Sequence, residues 1–527
     1  MEQNQKLYLF QLIKSLSVSE KGYVKKFCAK NGANPSYLKL FDAIDAQENY
    51  QEDLIKKKFK NEKFIKQLSV AKNYLIKSIL RSLRAYHSES THNIQVHELL
   101  LEIELLYNKR LIGLCQKLIK KAKRIIIESQ LYHHAGELAF WDFRLALLRP
   151  YTETLDRYME ENKVFGHENL ASLSLLSQYR HLAYDIYKYT FKEGYSREEQ
   201  AIQIAQQFSE HPLLKKLPSP NNAKAVARYH NIWTKIHEIN TNFRQGYESS
   251  KSFVEVIQKN PKVFEDYIMP TVIPAHYNLL GCCILLNRKE TFFVHLNYLK
   301  DIPQIYKTKS EAIQRLTHYY AIALELQFYT QNAYFDKTKT VLEEAVKIVL
   351  EDDLVAFGLI LLQVELSYSI AYAYFGLGNY SESETWVAKT LEYKKENLRE
   401  DVMCMAHLLH LINHVELGSF QYLDYKLRST YNFIKRMQKV HKFEKVTLQF
   451  LKKLINIQNS AELIQLTQLY KAKFEKIEDD PFEYMIIKNF DIISWLESKL
   501  LNKKFALVAT ARRNSNTKTT QNQTFTT

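Results

Sequence analysis

Proline is absent from two long parts of this chain, residues 36–149 and 304–480. Because proline lacks a backbone N–H and breaks helices, such stretches allow helices to follow one another without interruption. The 527 residues include only 12 glycines and 10 prolines, about 4% together against a usual value of about 12%. The turns and bulges of a mostly-β protein need more of both. With 46% hydrophobic residues to form a core, the sequence predicts an all-α protein.

An internal pattern is clearest in residues 365–395, ELSYSIAYAYFGLGNYSESETWVAKTLEYKK. At helical spacing Ala371 and Tyr374 share one face, Gly378 marks a tight turn, and Tyr380 opens a second helix. These offsets resemble the tetratricopeptide repeat (TPR), in which a small residue, aromatic residues and a turn glycine let two antiparallel helices pack closely. The usual alanine of the second helix is Ser383 here, which departs from the family pattern.

A second copy follows in HLLHLINHVELGSF, with His414 at the aromatic position and Phe420 after the turn. Weaker copies lie upstream. The equivalent turn positions that the pattern predicts are Gln245, Arg288, Asn332, Gly378 and Gly418. Their spacings of 43, 44, 46 and 40 residues exceed the TPR period of about 34, so the helices are expected to be longer than in that family.

The resemblance implies a TPR-like helical-hairpin solenoid, a right-handed superhelix, preceded by a small amino-terminal helical module. One hairpin cannot bury its apolar faces alone, so each unit would depend on its neighbours. The expected parts are a basic helical module at 1–90, a first part of the array at 91–210, TPR-like helical repeats at 221–500 and a disordered polar tail at 501–527. Breaks are expected at 211–222 and 261–274, where prolines cluster.

Local signals predict the helices of the first module. Ser17 and Glu20 have the spacing of a capping box, and Pro35 is placed to begin a helix. A longer helix is expected over 62–86.

The resemblance also implies where a partner would bind, because ligands of TPR arrays usually lie on the inner face formed by the first helices. Here that face would carry Asn278, Cys282, Leu285, Tyr368, Tyr372, Phe375, Leu408 and Ile412. A mainly apolar face of this kind would receive an amphipathic helix from a protein or peptide partner. The alternative, that these residues pack against each other in a tightly wound superhelix, stays open at this point. The favoured function is therefore a non-enzymatic scaffold or adaptor.

Positive charge is concentrated near the amino terminus. Residues 1–127 contain 24 Lys or Arg and 12 Asp or Glu, which gives +12 of the total net charge of +15. The basic patch comprises Lys56, Lys57, Lys58, Lys60, Lys63, Lys66, Lys120, Lys121, Lys123 and Arg124. The alternative function is thus a nucleic-acid-binding regulator, with the solenoid as a sensor or partner-binding part. Residues 61–83 also have the length and basicity of a winged-helix recognition element, whereas a plain solvated lysine face explains the same charges.

Three histidines, His407, His410 and His414, share one predicted helical face. They occupy offsets that carry packing residues in the neighbouring hairpin, and the nearby sequence shows no acidic or cysteine ligand. We therefore expect packed histidines, no metal site and no cofactor. Phosphate-loop, dinucleotide-binding, zinc-protease and nucleophile-elbow motifs are all missing from the sequence, so we expect no enzyme activity.

The sequence also bears on the compartment. Five cysteines without C-x-x-C spacing argue against a disulfide framework and fit a reducing cytoplasm. The first residues, MEQNQKLYLFQLIKSL, lack the apolar core of a signal peptide. The nearly uncharged stretch 354–375 contains Gln363 and Glu365, which favours a buried helix over a membrane span. We expect a soluble cytoplasmic protein with no membrane partner.

Overall fold

The computed structural model describes residues 2–30, 35–193, 200–352, 354–355, 358–393, 399–437, 440–480 and 482–523. Within these ranges the chain forms α-helices, short 3-10 and π-helical turns and connecting loops, and no β-strand. The prediction of an all-α protein is confirmed. A winged helix needs β-strands to form its wing, and none is present in these ranges, so the winged-helix interpretation of residues 61–83 is not supported.

The chain divides into two compact units, residues 1–173 and 174–527. The helices that begin in the first unit are α1 (Glu2–Lys14), α2 (Val18–Lys30), α3 (Pro35–Asp45), α4 (Glu52–Lys58), α5 (Leu68–Tyr86), α6 (His92–Asn108), α7 (Ile112–Glu128), α8 (Tyr132–Ala146) and α9 (Glu153–Glu193), which contains the boundary. Helices α1 to α5 share a core that includes Leu9, Phe41 and Ile79.

Local signals in the first unit act as expected. The hydroxyl of Ser17 accepts from the N–H of Glu20 at 3.2 Å, and the Glu20 carboxylate accepts from the N–H of Ser17 at 2.8 Å. This reciprocal pair confirms the capping box. Helix α3 begins at Pro35, also as predicted. Helix α5 begins only at Leu68, because Lys63–Gln67 forms a 3-10 turn.

The second unit contains the remaining helices. They are α10 (Gln200–Ser209), α11 (Ala223–Ile239), α12 (Phe243–Lys259), α13 (Pro261–Phe264), α14 (Ile273–Leu285), α15 (Lys289–Ile305), α16 (Glu311–Gln331), α17 (Lys339–Glu351), α18 (Ile360–Gly376), α19 (Tyr380–Leu391), α20 (Glu400–Glu416), α21 (Leu423–Arg436), α22 (Lys442–Leu454), α23 (Ser460–Glu478), α24 (Tyr484–Asn489), α25 (Ile492–Leu501) and α26 (Phe505–Gln523).

Helices of the second unit pack in consecutive pairs. Contacts join α14 to α15, α16 to α17, α18 to α19 and α20 to α21. The first helices of these pairs also contact one another, α14 with α16, α16 with α18 and α18 with α20. In the α18–α19 pair the first helix is the more deeply buried, since 12 of its 17 residues are buried against 4 of 12 in α19.

The helix pairs are closed by residues with left-handed backbone conformation. Gly378 and Gly418 have φ of 81° and 68°, and Thr241, Asn287 and Ala333 have φ of 57°, 51° and 54°. The residue that follows donates its N–H to the carbonyl five positions earlier, as in Asn379 to Tyr374 at 2.9 Å and Asn242 to His237 at 2.8 Å. Each pair therefore ends its first helix with the same hydrogen-bonded cap.

Two of the five predicted turn positions, Gly378 and Gly418, are confirmed. Arg288 and Asn332 also lie in their turns, each one residue from the left-handed residues Asn287 and Ala333. Gln245 is wrong, because it lies inside α12 and the turn is at Thr241. The physical reason is that a β-branched residue adopted the left-handed conformation here, and such residues do not mark this conformation in a sequence.

The proline-rich segments are less disruptive than the sequence predicts. Residues 210–222 contain a 3-10 turn, Pro212–Leu214, within a loop. Between Pro261 and α14 the chain continues through short helical turns, including a π-helical turn at Ile268–Val272. Only the first of the two expected breaks is thus a loop.

The end of the chain differs from the predicted disordered tail. Phe505, Val508 and Ala509 of α26 are buried, and Arg513 donates to the carbonyl of Ala333 at 2.9 Å. Polar composition had suggested that residues 501–527 could not fold alone. A few apolar residues at the start of α26 anchor it, and Thr524–Thr527 lie outside the described residues.

Among the described residues, one helical stretch, Pro261–Leu285, is long and apolar enough to cross a membrane, and 61% of its most apolar window is buried inside the protein. Burial of this kind is also found in core helices of soluble proteins. Helix α18, which covers most of the predicted buried stretch, lies in the core.

The strain of left-handed turn residues can be tested by exchanging threonine and glycine at two equivalent turns. Thr241→Gly should raise the free energy of unfolding by about 1 kcal/mol, because a β-branched residue is strained at φ of 57°. Gly378→Thr should lower it by about 1–2 kcal/mol for the same reason. Denaturant unfolding of the full chain measures both, and equal stability of Thr241→Gly and the unmodified protein would contradict the account.

Candidate functional site

A partly open cavity of ≈ 130 Å³ lies among the first helices of successive pairs in the second unit, and we call it the inner cavity. On α14 it is lined by Asn278, Gly281 and Leu285, and on α16 by Gln327 and Gln331. Spacings of three and four residues place each set on one helical face. The cavity therefore follows from the periodicity of the first helices.

Helix α18 forms another wall through Glu365, Ser369 and Tyr372, again at helical spacing. Lys235 of α11 and Arg399, which immediately precedes α20, add two cations. The lining thus combines aromatic rings, amides, a hydroxyl and charged groups from five helix pairs or their ends.

Five of the eight residues predicted for partner binding line the inner cavity, namely Asn278, Cys282, Leu285, Tyr368 and Tyr372. The other three do not line it and lie in the core, where Phe375, Leu408 and Ile412 are 0%, 1% and 1% exposed. They belong to the main hydrophobic core of the second unit, which also includes residues that follow the predicted hairpins. The ring of Phe375, for example, lies 5.3 Å from that of Phe490.

Helix α24, which sequence reasoning missed, closes one side of the inner cavity. Asn489 lines it, and its carbonyl accepts from the hydroxyl of Tyr368 at 3.1 Å. Its side-chain oxygen accepts from the amide of Gln331 at 2.8 Å. The N–H of Asp491 donates to the hydroxyl of Tyr372 at 3.1 Å. No local pattern could have revealed these contacts, because they join residues more than 100 positions apart.

Charged groups that line the inner cavity are paired. Lys235 lies 2.7 Å from the carboxylate of Glu238, and Arg399 contacts the carboxylate of Glu365. The guanidinium of Arg399 also holds Asp401 through contacts of 3.0 and 2.8 Å. Burial raises the pKa of Asp401, but the charge and hydrogen bonds of Arg399, together with backbone N–H groups that include that of Val402, outweigh burial and hold this pKa below its usual range. Paired charges favour a ligand group without net charge.

The thiol and the tyrosine hydroxyls of the cavity wall stay protonated at neutral pH. Burial raises the pKa of the Cys282 thiol to about 11. Burial also raises the pKa of Tyr368 and Tyr372 above the usual value. A protonated thiol is a weak nucleophile, whereas these hydroxyls donate and accept hydrogen bonds. The arrangement is thus suited to recognition by shape and hydrogen bonding.

The predicted basic patch lies in the first unit, on and after α4 and on α7. Nine of its ten residues are exposed, namely Lys56, Lys57, Lys58, Lys60, Lys63, Lys66, Lys120, Lys121 and Arg124. The tenth, Lys123, is half-buried and lies 2.5 Å from the carboxylate of Asp142. Phe59 and Phe64, which alternate with the lysines in sequence, pack against each other with ring centroids 5.5 Å apart. These two rings therefore pack at the boundary of the hydrophobic core of α1 to α5.

The three predicted histidines do not act as one group. The ring of His407 packs against Phe433, with centroids 4.3 Å apart. His410 and His414 lie together, with centroids 4.6 Å apart, and Glu384 of α19 contacts His410. The expectation that no acidic group lies near these histidines is wrong, because Glu384 reaches them from the preceding helix.

Comparison with models of known protein families, with curated proteins and with solved structures finds no match for this chain.

Proposed function

We propose that this chain is a non-enzymatic TPR-like solenoid, wound as a right-handed superhelix, that binds an extended segment of a partner protein at the inner cavity. The observation that carries the proposal is the cavity itself, which successive first helices line with five of the residues expected at a TPR-like inner face. Consecutive packing of the helix pairs and their repeated left-handed caps support the solenoid.

Cavity size distinguishes between kinds of partner segment. The sequence suggested an amphipathic helix as the occupant, but a helix with its side chains is about 10–12 Å wide. A volume of ≈ 130 Å³ is close to that of cavities that bind a single benzene ring, about 150 Å³. The inner cavity therefore has room for one side chain of a partner, because α24 fills the rest of the inner face.

The chemistry of the lining supports an extended segment. Gln327 offers an amide to the backbone of a bound peptide. Asn278 and Ser369 already donate to Asn231 at 3.2 Å and to the carbonyl of Glu365 at 2.9 Å, so their side-chain oxygens offer acceptors to the peptide N–H groups. Tyr277 adds a partly apolar wall next to them, and its hydroxyl donates to Glu365 at 3.3 Å. An uncharged aromatic or aliphatic side chain in the cavity, with polar contacts around it, is the occupant that this lining fits best.

The proposal includes a cytoplasmic location. Cys28, Cys115, Cys282 and Cys283 are free thiols, and three of these four are buried. Free cysteines are usual in a reducing compartment.

Gly281 allows the binding site to be tested without disturbing the core. It lines the inner cavity, and a Cβ added there would meet nothing within 4 Å. Gly281→Leu should fill the cavity while removing a glycine from a helix interior, so affinity for peptides should fall about tenfold or more and folding should be kept. Peptides selected on the full chain from a displayed random library provide the measurement.

The matched control is Gly113→Leu, since Gly113 is also a helical glycine with open space beside it but lies outside the cavity. It should bind the selected peptides as the unmodified chain does. Peptides that bind Gly281→Leu with unchanged affinity would refute the site. Tyr368→Glu and Tyr372→Glu are poorer tests, because both tyrosines are buried and hydrogen-bonded to the segment after α23.

A second candidate function is nucleic-acid binding by the first unit, with the second unit as a sensor or partner-binding part. The observation that favours it is the exposure of nine basic residues in two short stretches, one on and just after α4 and one on α7. Lysines that neutralise phosphates release counterions, so such binding weakens steeply with salt.

Lys57, Lys58 and Lys60 are suited to a charge-removal test, because Lys56 already forms an ion pair with Glu52 at 2.8 Å. Substitution of the three by Gln should weaken binding to duplex DNA or RNA. The slope of log affinity against log salt concentration should become shallower by about one for each phosphate that is no longer neutralised. Salt titrations of affinity measure this. The control replaces Lys445, Lys452 and Lys453, exposed lysines of α22 in the second unit. Equal affinities for both triple variants would refute this candidate.

A further inference from the structure

Three potential metal ligands meet between α19 and α20. Glu384 lies on α19, and His410 and His414 lie four residues apart on one face of α20. One carboxylate oxygen and one nitrogen from each ring all lie within 4.8 Å of one another. The side chains are partly buried, with 12% of His410 and 24% of Glu384 exposed.

The surroundings hold these groups in place. The amide of Asn413 donates to the hydroxyl of Ser383 at 3.0 Å and to the second carboxylate oxygen of Glu384 at 3.5 Å. Contacts from a neighbouring amide orient a carboxylate in the way that outer-shell groups orient metal ligands. The carboxylate is thereby directed towards the histidines.

His414 is available as a ligand. Both of its ring nitrogens are buried, and neither has a hydrogen-bond partner among the described residues. Burial lowers the pKa of this imidazole, and His410 and Lys426 lower it further, while Glu384 opposes them.

We propose that Glu384, His410 and His414 form a binding site for a divalent transition-metal cation of the Zn²⁺ class. Two imidazoles and one carboxylate are ligands that Zn²⁺ accepts, and three protein ligands leave a fourth position for water. Metal–ligand bonds of about 2.0–2.2 Å place the ligand atoms of a tetrahedral site about 3.3 Å apart. Side-chain rotations that move each of the three ligand atoms by about 1–2 Å are therefore enough to bring them around a common centre. The site does not depend on the proposed peptide binding.

Zinc titration of the full chain by calorimetry tests the site. The unmodified protein should bind one equivalent of Zn²⁺ at this site, and Glu384→Gln, His410→Ala and His414→Ala should each weaken that binding about tenfold or more. The control is His318→Ala. His318 also pairs with a glutamate across neighbouring helices, Glu344 at 3.1 Å, but that pair belongs to no group of three ligands in the described part of the chain.

A second measurement requires no substitution. Co²⁺ added to the unmodified chain should give the intense visible absorption of a tetrahedral or five-coordinate ion, whereas a weakly absorbing octahedral spectrum would overturn the proposal. Glu384→Gln keeps the shape of the side chain, so it remains informative if a histidine variant fails to fold. Zinc affinity that is the same in Glu384→Gln, His318→Ala and the unmodified chain would also overturn the proposal.

Discussion

Helix α18 is apolar around most of its circumference, and the second unit depends on covering it from all sides. Twelve of its 17 residues are buried, against neighbours on α16, α17, α19 and α20. A helix that is hydrophobic on every face is stable in water only when it is enclosed. Each large apolar side chain contributes about 1.5–3 kcal/mol on burial, so the α18–α19 pair cannot persist without its neighbours.

The carboxyl-terminal helices complete this enclosure. Phe505 of α26 lies 5.3 Å from Phe375 between ring centroids, and Phe490 lies 5.5 Å from Tyr372. The same segment hydrogen-bonds to the hydroxyls of Tyr368 and Tyr372. The inner face expected to be open for a partner is therefore covered largely by the chain itself. The inner cavity remains where this cover is incomplete, so a small part of that face stays uncovered.

The features that the sequence predicted correctly are those that depend on residues close together in the chain. The Ser17 capping box and the Gly378 turn each depend on residues within a few positions, and both are present. The turn at Thr241 was misplaced because a β-branched residue does not mark a left-handed conformation in a sequence. Asn489 in the cavity wall was missed because its contact joins residues 158 positions apart. Glu384 was missed although α19 and α20 belong to successive predicted hairpins, because its place beside the histidines depends on how the two helices face each other.

Hydrogen exchange in full-length Phe505→Ala tests this enclosure most directly. Removing a buried phenylalanine costs about 3–5 kcal/mol, so the amides of α18 should exchange about a hundredfold faster or more, together with those of α24 and α26. Exchange in α6 to α8 of the first unit should be unchanged. If α18 keeps the exchange rates of the unmodified chain while α26 alone becomes faster, the carboxyl-terminal helices do not enclose α18 and the account is contradicted.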